Sequence, residues 1–429
     1  MVKFFFETLT GKLLIIILPI LIALTGSSST DSFNQPHYNS DSPDKDEIIH
    51  LIDSLEKAYE KRRRKELAEG YVAAGPVDLN LHRLIDYNRY EGFKPGIGIR
   101  SGDEISQLFT SELFYNRSLR SNYNNYGSSV TFHLSSDKKR KLNIFAEKSL
   151  FETGSYSLLG LPKPYSNERF EKYAIKTVDR TTAAGASLEF GFSGKLKYKI
   201  GYSYRDVEPI LTYPYLTGRE KPEPAFYNHE GVVRFNWNPK QNNKLKLWSN
   251  FIYGKGAGEN TFSYLKTEFA AEQRVSLSER VTTNIRAVSG YISGSFKHTH
   301  LYSAFGTYNN GLGIHTSYSF ATMRPNEFAA DKFALLFIKT EIPLEVNSQF
   351  INPVIIVSTS AAIGSVKSKN KELINSFSKG YYESGVYLSR LLKHDFLHYG
   401  VSFHYRYGPY NFNNRANNWA VKLGIEIDL

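Results

Sequence analysis

Strict two-residue alternation is the feature that most limits what this chain can become. Leu397, Tyr399, Val401, Phe403, Tyr405 and Tyr407 alternate with His398, Gly400, Ser402, His404 and Arg406. Trp419, Val421, Leu423, Ile425, Ile427 and Leu429 alternate with Asn418, Ala420, Lys422, Gly424, Glu426 and Asp428. Leu196, Tyr198, Ile200, Tyr202 and Tyr204 do the same against Lys195, Lys197, Lys199, Gly201, Ser203 and Arg205. Successive side chains of a strand point to opposite faces, so each ribbon has one apolar face and one polar, largely basic face. Runs of this kind exceed the roughly five or six residues of a globular strand and match the roughly nine to eleven of a tilted transmembrane strand. One layer of a sandwich could also carry two such faces. Lysines and arginines on one face, with tyrosines toward strand ends, are instead the pattern of a polar lumen between aromatic girdles. The expected fold class is an all-β membrane protein, an antiparallel transmembrane β-barrel.

Composition agrees with that reading. The chain has 30 Tyr and 29 Phe but only 41% hydrophobic residues, which suits many amphipathic strands better than a thick globular core. Mean hydropathy is negative, as it must be when every second strand residue faces water. With no cysteine, disulfides, thiolate metal sites and an acylated N-terminal cysteine are excluded. A formal charge of +11 would suit nucleic acid, but an exported chain does not meet it. Outer-membrane lipid, including lipopolysaccharide, or acidic solutes are the expected counterparts.

Lys3 and Lys12 flank an aromatic start, and Leu13 to Thr25 is an apolar run too short to span a bilayer, so residues 1–29 read as a cleaved signal peptide. Residues 30–43 read as a disordered leader. Ile48, Leu51, Ile52, Leu55 and Tyr59 recur at helical spacing within Asp44 to Leu67, and Lys61 to Lys65 place positive charge at that helix's negative end. A periplasmic or lumen-docked helix is expected there, with Gly70 to Pro76 as a linker, so that 44–76 is helix and linker and 77–429 the barrel. Strands beginning near residues 93, 107, 126, 140, 181, 195, 226, 244, 262, 280, 312, 332, 352, 380, 396 and 417 make about sixteen. That even count brings both barrel ends to the periplasm. It also puts the long connection from Ser149 to Arg180 at the periplasmic end, where turns are normally short.

Leu312 to Phe320 alternates like a strand, and Met323-Arg324-Pro325-Asn326-Glu327-Phe328 comes next, before a second apolar strand from Lys332. A two-residue turn would suffice for a hairpin, so this loop is more elaborate than the connection needs. Further on come Gly380-Tyr381-Tyr382-Glu383-Ser384-Gly385 and Arg406-Tyr407-Gly408-Pro409-Tyr410. Val77-Asp78-Leu79-Asn80 and Asn88-Arg89-Tyr90-Glu91-Gly92-Phe93 form a second match at the front. Together these stretches resemble a Gram-negative outer-membrane barrel domain of unknown function, usually found C-terminal to carboxypeptidase-regulatory-like domains. That domain is related to the bacterial surface-antigen (BamA-like) barrel superfamily. The resemblance covers roughly Val77 to Leu429 and is strongest after Gly311.

The resemblance implies that an extracellular loop folds into the barrel and docks an arginine on the inner wall, and that Arg324 is this arginine. The strand ladder puts Glu383 on the lumen face, so Arg324 is expected to reach it, a buried guanidinium needing a carboxylate, with Asp331 and Glu327 as competing partners. Pro325, Asn326 and Phe328 complete the expected docking set. Gly385 and Gly400, also lumen-facing, either leave room for the loop or relieve crowding in their strands. Enzyme signals are poor. G-x-S-x-G, H-E-x-x-H and Walker-type loops are missing, and Ser402, His398 and His404 face the lumen rather than lipid. His298-x-His300 and His394-Asp395 with His398 read as rim histidines, so no metal or other cofactor is expected. Three functions fit: a surface-antigen-type barrel aiding assembly or export of envelope components, a channel for small anionic or neutral solutes, or a structural barrel anchoring a periplasmic partner. Each requires the outer-membrane assembly machinery for its own insertion.

Overall fold

The computed structural model describes residues 54, 70–102, 104–155, 173–192, 195–218, 221–239, 245–259, 261–309, 311–346, 351–367, 372–394 and 397–427. The chain divides into two compact units, Met1–Ala58 and Tyr59–Leu429. The expected signal peptide, leader and nearly all of the expected helix lie outside the described residues. All of the described strands belong to the second unit.

Its first elements are short: β1 (Tyr71–Ala74), β2 (Val77–Asn80), the single-turn helix α1 (Leu81–Leu84) and β3 (Ile85–Asn88). Next comes a meander of long strands: β4 (Gly92–Ser101), β5 (Phe109–Arg117), β6 (Asn124–His133), β7 (Arg140–Glu152), β8 (Val178–Phe192), β9 (Leu196–Pro209) and β10 (Phe226–Trp237). It continues through β11 (Lys246–Gly256), β12 (Ser263–Ser276) and β13 (Thr282–Ser295). After the two-residue β14 (Gly313–Ile314) it ends with β15 (Lys332–Pro343), β16 (Val354–Ser365), β17 (Tyr381–His394), β18 (Leu397–Tyr407) and β19 (Trp419–Ile427). Each long strand pairs antiparallel with the next, β13 passing directly to β15. β2 and β3 pair with the two halves of β4, so together they lie along it as one broken strand. Among the described residues, no register joins β19 to these front strands.

Three expectations change. Residues 71–74, read as linker, form β1 and pair with β2. Leu312 to Phe320 is not a strand of the meander: Gly313 and Ile314 pair parallel to β19, and Phe320 makes an isolated bridge to Gly306 within the same connection. The count of about sixteen therefore included a strand that does not form, and fifteen long strands are described. Removing it also resolves the conflict over the connection before Arg180. The long connections 153–177, 210–225, 296–331, 366–380 and 408–418 now all fall at one end of the sheet, together with the short turns 118–123 and 257–262, and only shorter connections fall at the other.

The two faces divide as the alternation requires. On β18 and β19, Ser402, His404, Arg406, Ala420 and Lys422 are buried while Phe403, Tyr407, Trp419 and Val421 are exposed. On β9, Tyr202 is 53% exposed while its neighbour Ser203 is 7%. In water such a contiguous greasy outer surface would aggregate; against hydrocarbon it is at its minimum free energy. Leu336, mid-strand in β15, is 38% exposed and lies in register between Ala287 and Ala361. Leu336→Arg is expected to lose about 2–4 kcal/mol in a urea refolding titration into lipid vesicles.

Candidate functional site

The inner face is occupied by the connection 296–331, which folds on itself before it docks. Tyr302 and Ala330 exchange both backbone hydrogen bonds at 2.9 Å, and the Phe320 N–H donates to Phe305 O at 2.7 Å. Phe320, Met323, Phe328, Ala329 and Ala330 are essentially inaccessible. Phe320 meets Phe337 of β15 and Tyr381 of β17, and Phe328 meets Phe377, Tyr381 and Tyr410 edge-on. These rings supply the connection's apolar anchor.

Glu383 does lie buried on the inner face, but it does not hold an arginine. Its carboxylate accepts the Ala321 N–H at 2.8 Å, the Thr322 N–H at 3.0 Å and the Thr322 hydroxyl at 2.7 Å. Arg324 is exposed and, among the described residues, makes no ion pair; its guanidinium lies 5.5 Å from the Phe412 ring centroid. The expected Arg324–Glu383 pair is therefore not formed. The charge pair that docks the loop runs the other way. Glu327 of the connection accepts from Arg406 of β18, with Nη1 and Nη2 each 3.0 Å from Oε1. The Arg406 side chain is 2% exposed and also lies over Phe412 and Tyr381.

Of the other expected docking residues, Pro325 is buried. Asn326 sits at φ 53 and donates to Thr153 O at 3.1 Å, tying this connection to 153–177. Asp331 accepts the Lys367 N–H at 2.7 Å rather than any arginine. A Cβ on Gly385 would meet His404 and the β18 backbone, so this glycine accommodates the neighbouring strand and not the loop.

The residues the sequence reading missed cluster at the end of the chain. Lys422 donates to Thr307 O at 3.0 Å and also contacts the Thr307 hydroxyl. β14 pairs with β19 at Gly313–Lys422 and Ile314–Leu423, and the His315 N–H continues the ladder to Leu423 O at 2.8 Å. Tyr387 lies flat across β18 and β19 because Gly400 and Gly424 have no Cβ to obstruct it, and its hydroxyl donates to Glu426 at 2.9 Å. His315 stacks on that ring at 4.1 Å and lies 3.1 Å from the Ser402 hydroxyl. Gly400 thus does serve the docked connection, by way of Tyr387. Inward alternation could have flagged Arg406 and Lys422 as wall residues, but not their partners. Of the rim histidines, His298 lies 2.7 Å from Glu223, and His300 is buried among Phe226, Phe262 and Tyr264.

No family model matches this chain, and no curated protein does. Solved structures similar to it include BamA from Haemophilus ducreyi lacking POTRA domains 1-3, at 14% identity over 79% of this chain and 67% of that one, with a TM-score of 0.48. CdiB from Acinetobacter baumannii matches at 11% identity over 83% of this chain and 60% of that one, TM-score 0.46. CdiB from Escherichia coli matches at 10% identity, 82% and 62%, TM-score 0.45. The chain spans less than two thirds of the length of both CdiB chains.

Removing Glu327 would leave the Arg406 charge buried without a counterion. Glu327→Gln is expected to cost about 3–5 kcal/mol in urea unfolding from lipid vesicles. Arg324→Ala, an exposed change, is expected to stay within about 0.5 kcal/mol of the parent.

Proposed function

We propose that this chain is an outer-membrane β-barrel of surface-antigen type that aids the assembly or export of envelope components, with the connection 296–331 and the edge of β19 as its working parts. One observation carries the reading. Among the described residues, the outer edge of the last strand is covered by two residues of an internal connection and one further hydrogen bond, and by no full partner strand. Such an edge presents unpaired N–H and C=O groups and accepts an incoming extended segment by β-augmentation once its light cover moves aside. This role requires no catalysis, and its partners are outer-membrane lipid, a client strand and a periplasmic protein.

A solute channel is less well supported. The connection covers the inner face of β15–β19, and several of the cations that would attract an anionic solute are neutralised by wall carboxylates. Arg205 pairs with Glu230 at 3.0 Å, Lys246 and Arg286 both pair with Glu272, and Lys94 pairs with Glu91 at 2.8 Å.

The parent chain has no cysteine, so Ile314→Cys with Leu423→Cys would place one engineered disulfide across the bridge between β14 and β19. Oxidised cells carrying this pair are expected to show depleted outer-membrane proteins and sensitivity to large antibiotics, both reversed by reductant. Normal envelope composition with the bridge locked would rule out a moving cover. Steady, large single-channel conductance of the unmodified protein in planar bilayers would favour the channel instead.

A further inference from the structure

At the long-connection end, three turns converge on a cleft of about 760 Å³ lined by Tyr87, Arg89, Tyr90, Arg120, Ser121, Lys176 and Asn309. Local hydrogen bonds build it. The Arg120 guanidinium donates to Arg89 O at 2.6 Å and its N–H to Glu91 O at 3.0 Å, while the Tyr90 N–H donates to Ile175 O at 3.2 Å. These contacts clamp the β3–β4 turn against the β5–β6 turn and the end of connection 153–177. The two acids adjacent in sequence are engaged elsewhere: the Glu91 carboxylate accepts from Asn88, Lys94, Ser118 and Asn125, and Asp86 pairs with Lys94 at 2.9 Å. Among the described residues, no carboxylate lines the cleft.

Among the described residues, the cleft is thus a concentration of positive charge that no lining carboxylate offsets. Arg89 Nη1 and the Ser121 hydroxyl are buried with no hydrogen-bond partner among the described residues, although buried donors are normally satisfied. Although Lys176 is exposed overall, partial desolvation of its ammonium, followed by the nearby Arg89 and Arg324 charges, pushes it below the ordinary lysine range. A cluster of cations this close relaxes when an anion enters it. Two guanidinium groups match the oxygens of a phosphate, and the tyrosines add flat apolar faces beside them. The volume falls within the roughly 300–1,000 Å³ of small-ligand sites.

We propose that this cleft binds a phosphorylated sugar, with Arg89, Arg120, Lys176 and Ser121 holding the phosphate and Tyr87 and Tyr90 flanking the sugar ring. Two sources carry that chemistry, the phosphoglycan headgroup of an outer-leaflet lipid and a free sugar phosphate. The test uses the full chain in detergent micelles. Calorimetry with glucose 1-phosphate, against glucose as the uncharged control, reads the free source; native mass spectrometry with lipid A, against its dephosphorylated form, reads the headgroup. Phosphate-dependent binding of either probe supports the site, and the probe that binds names the source. Arg89→Ala with Arg120→Ala, and separately Lys176→Glu, are each expected to weaken binding about tenfold or more. Lys176 is exposed, so its substitution leaves the fold intact even if the double variant fails to assemble. Binding of neither probe, equal binding of the phosphate-free controls, or a Lys176→Glu protein that binds like the parent would each overturn the assignment.

Discussion

A sheet that turns its apolar side outward gives up its own hydrophobic core, and the rest of this structure answers that constraint. The inner face is left with the polar half of every strand, and buried polar groups cost free energy unless each finds a partner. The connection 296–331 supplies many of those partners. Its backbone amides satisfy Glu383, its carbonyl at Thr307 receives Lys422, and its one acidic side chain in the docked turn neutralises Arg406. Its aromatic residues then rebuild a compact apolar cluster inside a polar wall, with Phe320, Phe328, Phe337, Phe377 and Tyr381 in mutual contact. Docking and fold are one problem here, since neither the wall charges nor the connection's amides are satisfied alone.

The pairing of Glu327 with Arg406 has the opposite polarity to the one the sequence suggested. Glu383 was legible as an inward residue because period-two alternation fixes which side chains share a face. Its partners were not legible, because backbone N–H groups carry no residue signature and any sequence could have supplied them. A carboxylate holding amides has no remaining need for a guanidinium, which leaves Arg324 to solvent and the rim. Arg406 alternated inward as plainly as Glu383 did, but nothing local marks a strand arginine and a loop glutamate 79 residues apart as partners.

Most of the strands were legible for the same reason, and the exception at residue 312 shows where alternation stops being informative. Leu312 to Phe320 alternates as regularly as a true strand, yet alternation describes faces and not neighbours. A strand exists only where another backbone completes its ladder. Here β13 already pairs with β15, so the segment has no place in the meander and takes the edge of β19 for two residues instead. Thr307, Thr316 and Ser319 then satisfy one another's hydroxyls in a turn that no longer follows a strand.

That placement bears on how firmly the sheet's last edge is held. Two paired residues and one further hydrogen bond fix little backbone, whereas the stacking of His315 on Tyr387 and the glycines beneath that ring hold the segment through side chains. The two kinds of contact respond differently to an incoming strand. Backbone bonds to Leu423 can be exchanged one for one with those of a new partner, at almost no net cost, because the ladder is rebuilt as it is broken. The Lys422–Thr307 contact lies on the inner face and does not depend on those bonds, whereas the His315–Tyr387 stack is carried by the same residue whose N–H reaches Leu423. The opening proposed for this edge therefore asks the segment to give up its bonds to Leu423 while Thr307 and the aromatic anchor stay docked to the wall.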